Sequence, residues 1–147
     1  MAFKVVKGFD QSQPMHCATS STIVAGDVVV FDVSTGAGVS KVIPATASLL
    51  GCNVAGVAVN TPATADTVVN VIPIVPGQVW EYDCTSNTAT AQLGKLNDLT
   101  NASTVANSTT ISTAATAFVR NIEYVGAVAD KKMRGYIVGS QSVKALS

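Results

Sequence analysis

Charge is scarce in this sequence. Only 12% of its residues are charged, and acids and bases cancel at nine each. Proteins that grip nucleic acid neutralise phosphates with clustered Lys and Arg. Here the bases are scattered, and the one local group, Lys131, Lys132 and Arg134, sits beside Asp130 and reads as a solvated turn. No nucleic-acid partner is expected. Histidine is scarcer still, since His16 is the only one, so any reading that needs an imidazole must use that residue. Long apolar runs are missing as well. The opening MAFKVVKGFD carries Lys4, Lys7 and Asp10, which is no signal peptide. Residues 42–65 lack charge, but Pro44, Asn53, Asn60 and Pro62 make them a poor membrane span, which needs ~20 apolar residues. A soluble, non-secreted protein without a membrane partner is expected, and the sequons at Asn101-Ala102-Ser103 and Asn107-Ser108-Thr109 then carry no glycan. Cys17, Cys52 and Cys84 are odd in number and form no C-x-x-C, which argues against a disulfide framework or a zinc knuckle and for buried, reduced thiols.

Valine, alanine and threonine fill the gap, and the 147 residues suit one domain. Val28–Val33 and Val39–Ile43, around the turn Ser34-Thr35-Gly36-Ala37-Gly38, predict a hairpin. Further strands are expected at 54–60 and at 67–75, the latter broken by Pro73 and closed by Pro76-Gly77. QVWEYDCT alternates, with Glu81 and Asp83 on a wet face and Trp80, Tyr82 and Cys84 on a buried one. FVRNIEYVGAVAD and KMRGYIVG predict a second hairpin turning at Asp130-Lys131. The Thr-, Ser-, Ala- and Asn-rich residues 97–117 read as a long loop with short strand pieces, and a short helix is the most that 90–99 or the chain end would form. The fold class is all-β and mainly antiparallel, a compact sandwich or barrel-like domain over residues 21–147 with few or no long helices. Residues 1–20 form an extended N-terminal arm or an edge strand.

Chemistry has few places to start. In QPMHCATSST (residues 13–22), His16 and Cys17 are adjacent, and neighbours in a strand point to opposite faces, so they are poorly placed as base and nucleophile. They are read as hinge or interface residues. His16, Cys17, Cys52 and Cys84 match the ligand count of structural zinc but not its spacing. Asp27, Asp32, Asp66 and Asp83 sit singly at turns, where Asx bonding explains them better than calcium. Trp80 with Tyr82 fits a core, or alternatively a sugar-binding platform. No catalytic residue, cofactor or metal is assigned, and an enzyme is not expected.

The segments GDVVVFDVSTGAGVSKVIPAT and NVAGVAVNTPATADTVVNVIP resemble the core of small head decoration (cement) proteins of tailed phages. The resemblance rests on Gly26-Asp27 opening a strand, the 28–43 hairpin, Gly56-Val57-Ala58, and the strand from Asp66 to Val71. PGQVWEYDCTSNTATAQLGKLNDLT and VGAVADKKMRGYIV extend it over residues 20–138. It implies a trimeric β-rich protein on the outer surface of the virion capsid, assembled in the bacterial cytoplasm, with the major capsid protein and its own copies as partners. It also implies an N-terminal arm that reaches the shell or a neighbour. Phe3, Lys4, Val5, Val6, Lys7 and Phe9 are the candidates for that contact, unless residues 3–9 are an edge strand of the domain's own sheet. The alternative function is a glycan-binding, adhesin-like module of a phage tail or fibre.

Overall fold

A computed structural model describes residues 2–19, 21–32, 41–45, 54–111 and 117–138. Eleven strands lie within them: β1 (Lys4–Lys7), β2 (Gln13–His16), β3 (Val28–Phe31), β4 (Val42–Pro44), β5 (Val54–Ala58), β6 (Val68–Ile72), β7 (Val79–Cys84), β8 (Leu96–Asn101), β9 (Thr104–Ile111), β10 (Val119–Val125) and β11 (Lys132–Ile137). Among the described residues, helical geometry is confined to two 3-10 turns, Thr90–Gln92 and Val128–Asp130.

The first sheet runs β1-β7-β11-β10-β8-β9, and β9 returns to pair in parallel with β7. Strands β7, β11, β10, β8 and β9 thereby close into a five-stranded barrel. Opposite the edge that binds β11, β7 is shared. Its first half pairs with β1 through Lys4↔Glu81 and Val5↔Trp80, and its last two residues pair with β9 through Asp83↔Thr104 and Cys84↔Val105. The second sheet runs β2-β6-β5-β3-β4, and a single parallel bridge from Cys17 to Val42 links its two outer strands. Backbone hydrogen bonds tie the sheets together, from the Phe3 amide to the Gly26 carbonyl (3.0 Å) and from the Val28 amide to the Ala102 carbonyl (2.7 Å).

Two cores follow from this layering. Trp80, Tyr82, Phe3, Phe118 and Met133 fill the main one, joined by Val28, Val30, Val57 and Ile72 of the second sheet. Val29, Val42, Ala58, Val69 and Val71 form the second, on the other face of that sheet, with Cys17 and Ile23. Strand β3 is thus buried on both faces, which explains its unbroken Val-Val-Val-Phe run. With only eight aromatics in the chain (one Trp, three Tyr, four Phe), four are spent here. Phe3 lies 5.4 Å from Tyr82 and 5.9 Å edge-on from Phe118, centroid to centroid. Gly135 admits no side chain, because a Cβ there would strike the Arg120 carbonyl and the Tyr82 hydroxyl.

The hairpin expected around residues 28–43 is present as β3–β4, its turn lying outside the described residues. The β10–β11 hairpin turns through the 3-10 element and Lys131, which is left-handed at φ 55°. The reading of residues 97–117 as a long loop is corrected. β8 and β9 form an antiparallel hairpin there, in register at Leu99↔Val105 and Asn101↔Thr104, and it closes the barrel. The hydrophobic pattern concealed it because two inward positions are held by amides: Asn97 and Asn107 are both buried. The short helix expected across 90–99 is a single 3-10 turn followed by β8. Cys17 presents no surface for an interface. It is buried in the second core, whereas His16 beside it is exposed.

Candidate interaction surface

The N-terminal residues are built into both sheets, β1 into the first and β2 into the second. This is the edge-strand form of the two readings of residues 3–9. Phe3 is fully buried in the chain's own core and presents no side chain to a partner. Val5 is half-buried against the same core. Lys4, Val6, Lys7 and Phe9 face solvent. β1 carries a register irregularity between Val5 and Lys7, and lysines flank it. Bulges and edge lysines both discourage uncontrolled strand addition.

A row of alternating charge crosses the outer face of the first sheet from β1 to β10. Lys4 approaches Glu81 (4.0 Å), Glu81 meets Arg134 (3.7 Å), and Arg134 meets Glu123 (3.3 Å). Beside it, Lys132 donates to Asp83 at 2.6 Å. That hydrogen bond is the main reason the Lys132 ammonium titrates above its ordinary range. These six groups are a third of the charges in the sequence (18 in all, nine of each sign). Exposed pairs of this kind each stabilise by about 0–1 kcal/mol. They order the face more than they hold the fold.

The opposite face of β7 is dry. Burial pushes the Cys84 thiol up to about 12, with the neighbouring Asp83 carboxylate adding to the shift. Burial likewise raises the Tyr82 phenol well above its usual value. Both groups are held protonated, and Tyr82 donates to Asn121 Oδ1 (2.7 Å). Asn121 Nδ2 in turn donates to Asn97 Oδ1 (2.6 Å) and to the Gln92 carbonyl (3.2 Å). A second amide, Asn107, accepts from the Ser86 amide (2.9 Å) and donates to the Ser86 carbonyl (3.0 Å). It acts as one more rung on the β7–β9 seam. Sequence reasoning missed this network, because nothing local marks an Asn as inward-facing. Burial also raises the Asp27 carboxyl above its ordinary value, against the opposing hydrogen bond from the Val24 amide.

The remaining candidates are dispersed. Trp80 is 1% exposed and Tyr82 is fully buried, so the two form no sugar platform. Tyr124 and Tyr136 are exposed, and Tyr136 lines a cleft of about 260 Å³ with Arg120, Ile74 and Val75. Glu81 and Asp83 are engaged in the charged face. Cys17 and Cys84 are buried and unpaired with each other, and Cys52 lies outside the described residues. Among the described residues, no three His, Cys, Asp or Glu side chains gather as a metal site would need, and no helix is long and apolar enough to cross a membrane.

The architecture defines a nearly all-β protein, a closed five-stranded barrel carrying a second sheet and an N-terminal strand on its β7 edge. No protein-family model and no curated protein matches the sequence. The fold is similar to a solved structure, the N base of the head fiber gp8.5 of bacteriophage phi29, with a TM-score of 0.56. The likeness covers 88% of this chain and 97% of that one at 16% identity, so what the two share is the fold.

Proposed function

We propose that this chain is a structural protein of a phage virion that binds the outside of the expanded capsid as an oligomer, a trimer, and stabilises it against internal DNA pressure. The observation that carries the reading is the fold, which matches a head-fiber base over nearly its whole length. The resemblance of the 20–138 segments to head decoration proteins and the neutral, charge-poor composition point the same way. The mechanism is mechanical. A trimer seated across adjacent capsomers adds buried area at their junction, and several weak contacts per copy sum through avidity. The partners are the major capsid protein and further copies of this chain. The contact surface centres on Lys4, Val6, Lys7 and Phe9, the N-terminal side chains left exposed after β1 docks.

The test is to mix the purified protein with expanded, undecorated shells of the cognate phage. Stoichiometric binding and a raised shell-disruption temperature are expected. Shells that take up no protein, or gain no stability from it, refute the reading. Deleting residues 2–9 is an unsuitable probe, since it removes Phe3 from the core. Substitutions at the exposed positions separate contact from folding.

A further inference from the structure

Gln78 is 2% exposed, and its amide has no spare bonding capacity. Nε2 donates to the Phe9 carbonyl (2.8 Å) and the Pro73 carbonyl (2.9 Å). Oε1 accepts from the Val75 amide (2.8 Å) and from Trp80 Nε1 (3.3 Å). A carboxamide offers two donors and two lone pairs, and all four are used. One residue before Phe9, Gly8 lies against the β6–β7 turn at φ +94°, a conformation glycine adopts without strain. A Cβ there would stand 2.8 Å from the Gly77 carbonyl oxygen and 3.0 Å from Gln78 Cα. The backbone of Phe9 is therefore held at the residue before it and at its own carbonyl.

Phe9 is nonetheless 47% exposed. Of the four phenylalanines, Phe3 and Phe118 are fully buried and Phe31 is half-buried, so Phe9 is the one turned to solvent. A large apolar side chain on a clamped backbone loses little further freedom on binding, and aromatic anchors of that kind dominate interface energetics. Beside it Lys7 is exposed and makes no ion pair among the described residues. Asp10, on the other side, takes a hydrogen bond from Gln11.

We infer that Gln78 is a positioning residue that holds Phe9 outward as a preformed anchor for an apolar socket on the capsid shell whose rim carries one acidic and one basic group. The inference rests on the shell-binding reading, and it assigns that contact a central side chain and the buried group that presents it. Lys7 on one side and Asp10 on the other supply the charges that such a rim would complement.

The experiment measures binding of wild type, Phe9→Ala, Gln78→Met and the double variant to expanded shells. It also follows amide exchange at Val75 and the emission of Trp80. Phe9→Ala is expected to weaken binding about tenfold or more while leaving exchange and emission unchanged. Gln78→Met keeps the volume and removes all four bonds. It is expected to weaken binding several-fold, to speed exchange at Val75 and to shift the Trp80 emission. If Gln78 acts through Phe9, the double variant binds no more weakly than the worse single one. Should Gln78→Met fail to fold, Gly8→Ala disturbs the same backbone from its other side and takes its place. Full binding by Phe9→Ala overturns the anchor, and two losses that simply multiply overturn the positioning role. Absence of binding by the wild type refutes the shell reading and the anchor together, which keeps the failures distinguishable.

Discussion

Asn121 holds the Tyr82 hydroxyl, the Asn97 side chain and the Gln92 carbonyl at once. Removing it strips the buried Tyr82 hydroxyl of its acceptor and takes one donor each from the Asn97 side chain and the Gln92 carbonyl; an unmade buried hydrogen bond costs about 1–3 kcal/mol. Asn121→Ala is therefore expected to lower unfolding free energy by about 3 kcal/mol in urea titration, well beyond the loss from an exposed polar residue. Tyr82 and Cys84 supply a pH signature. Both keep their protons in the folded protein well past the point where the unfolded chain loses them. Between about pH 9 and 12 the unfolded state binds fewer protons, so stability falls as pH rises, by up to about 1.4 kcal/mol per unit for each group. Lys132, raised by Asp83, contributes in the same direction above its ordinary value. Tyr82→Phe and Cys84→Ala should each flatten the alkaline slope of unfolding free energy measured by denaturant titration at successive pH values; an unchanged slope would count against the burial assigned here. Of these residues, Trp80, Tyr82 and Cys84 were legible in the alternation of QVWEYDCT, because a half-wet strand writes its burial at every second position. The asparagines were not. An amide is polar wherever it sits, and only its partners reveal that it points inward.

Among the elements, β1 decides how the N-terminus is understood. Its side chains divide between the core (Phe3, Val5) and solvent (Lys4, Val6, Lys7), with Phe9 exposed just beyond it. Phe3→Ala is expected to cost about 3–5 kcal/mol in stability, the range for emptying a phenylalanine site in a core. Phe9→Ala is expected to stay within about 0.5 kcal/mol of wild type, as surface substitutions do. Equal losses from the two would show that β1 is not docked as described. The β8–β9 hairpin teaches the complementary lesson. Its threonines are good strand formers, yet the inward Leu99 and Val105 are interrupted by Asn97 and Asn107, so no continuous apolar face signals it. Once formed, it supplies the parallel pairing with Asp83 and Cys84 that closes the barrel.

At the scale of the whole molecule, barrel closure removes edges that a charge-poor surface would leave prone to strand addition. In the second sheet the bridge between Cys17 and Val42 joins the two outer strands at one point only. A trimer should sediment at about three times the mass of the 15.0 kDa chain in analytical ultracentrifugation, and a monomer at all concentrations would remove that part of the proposal. The sequence by itself determined the all-β class, the two hairpins and the buried face of β7. Valine runs, turn residues and period-two alternation are local signals, readable without knowing what lies opposite. Only the tertiary structure decided that residues 2–16 join two different sheets, that the asparagine-rich segment is a hairpin, and that Gln78 clamps the chain beside Phe9. Each of those depends on partners far apart in sequence, and a hydrogen bond between distant residues leaves no periodic trace in either.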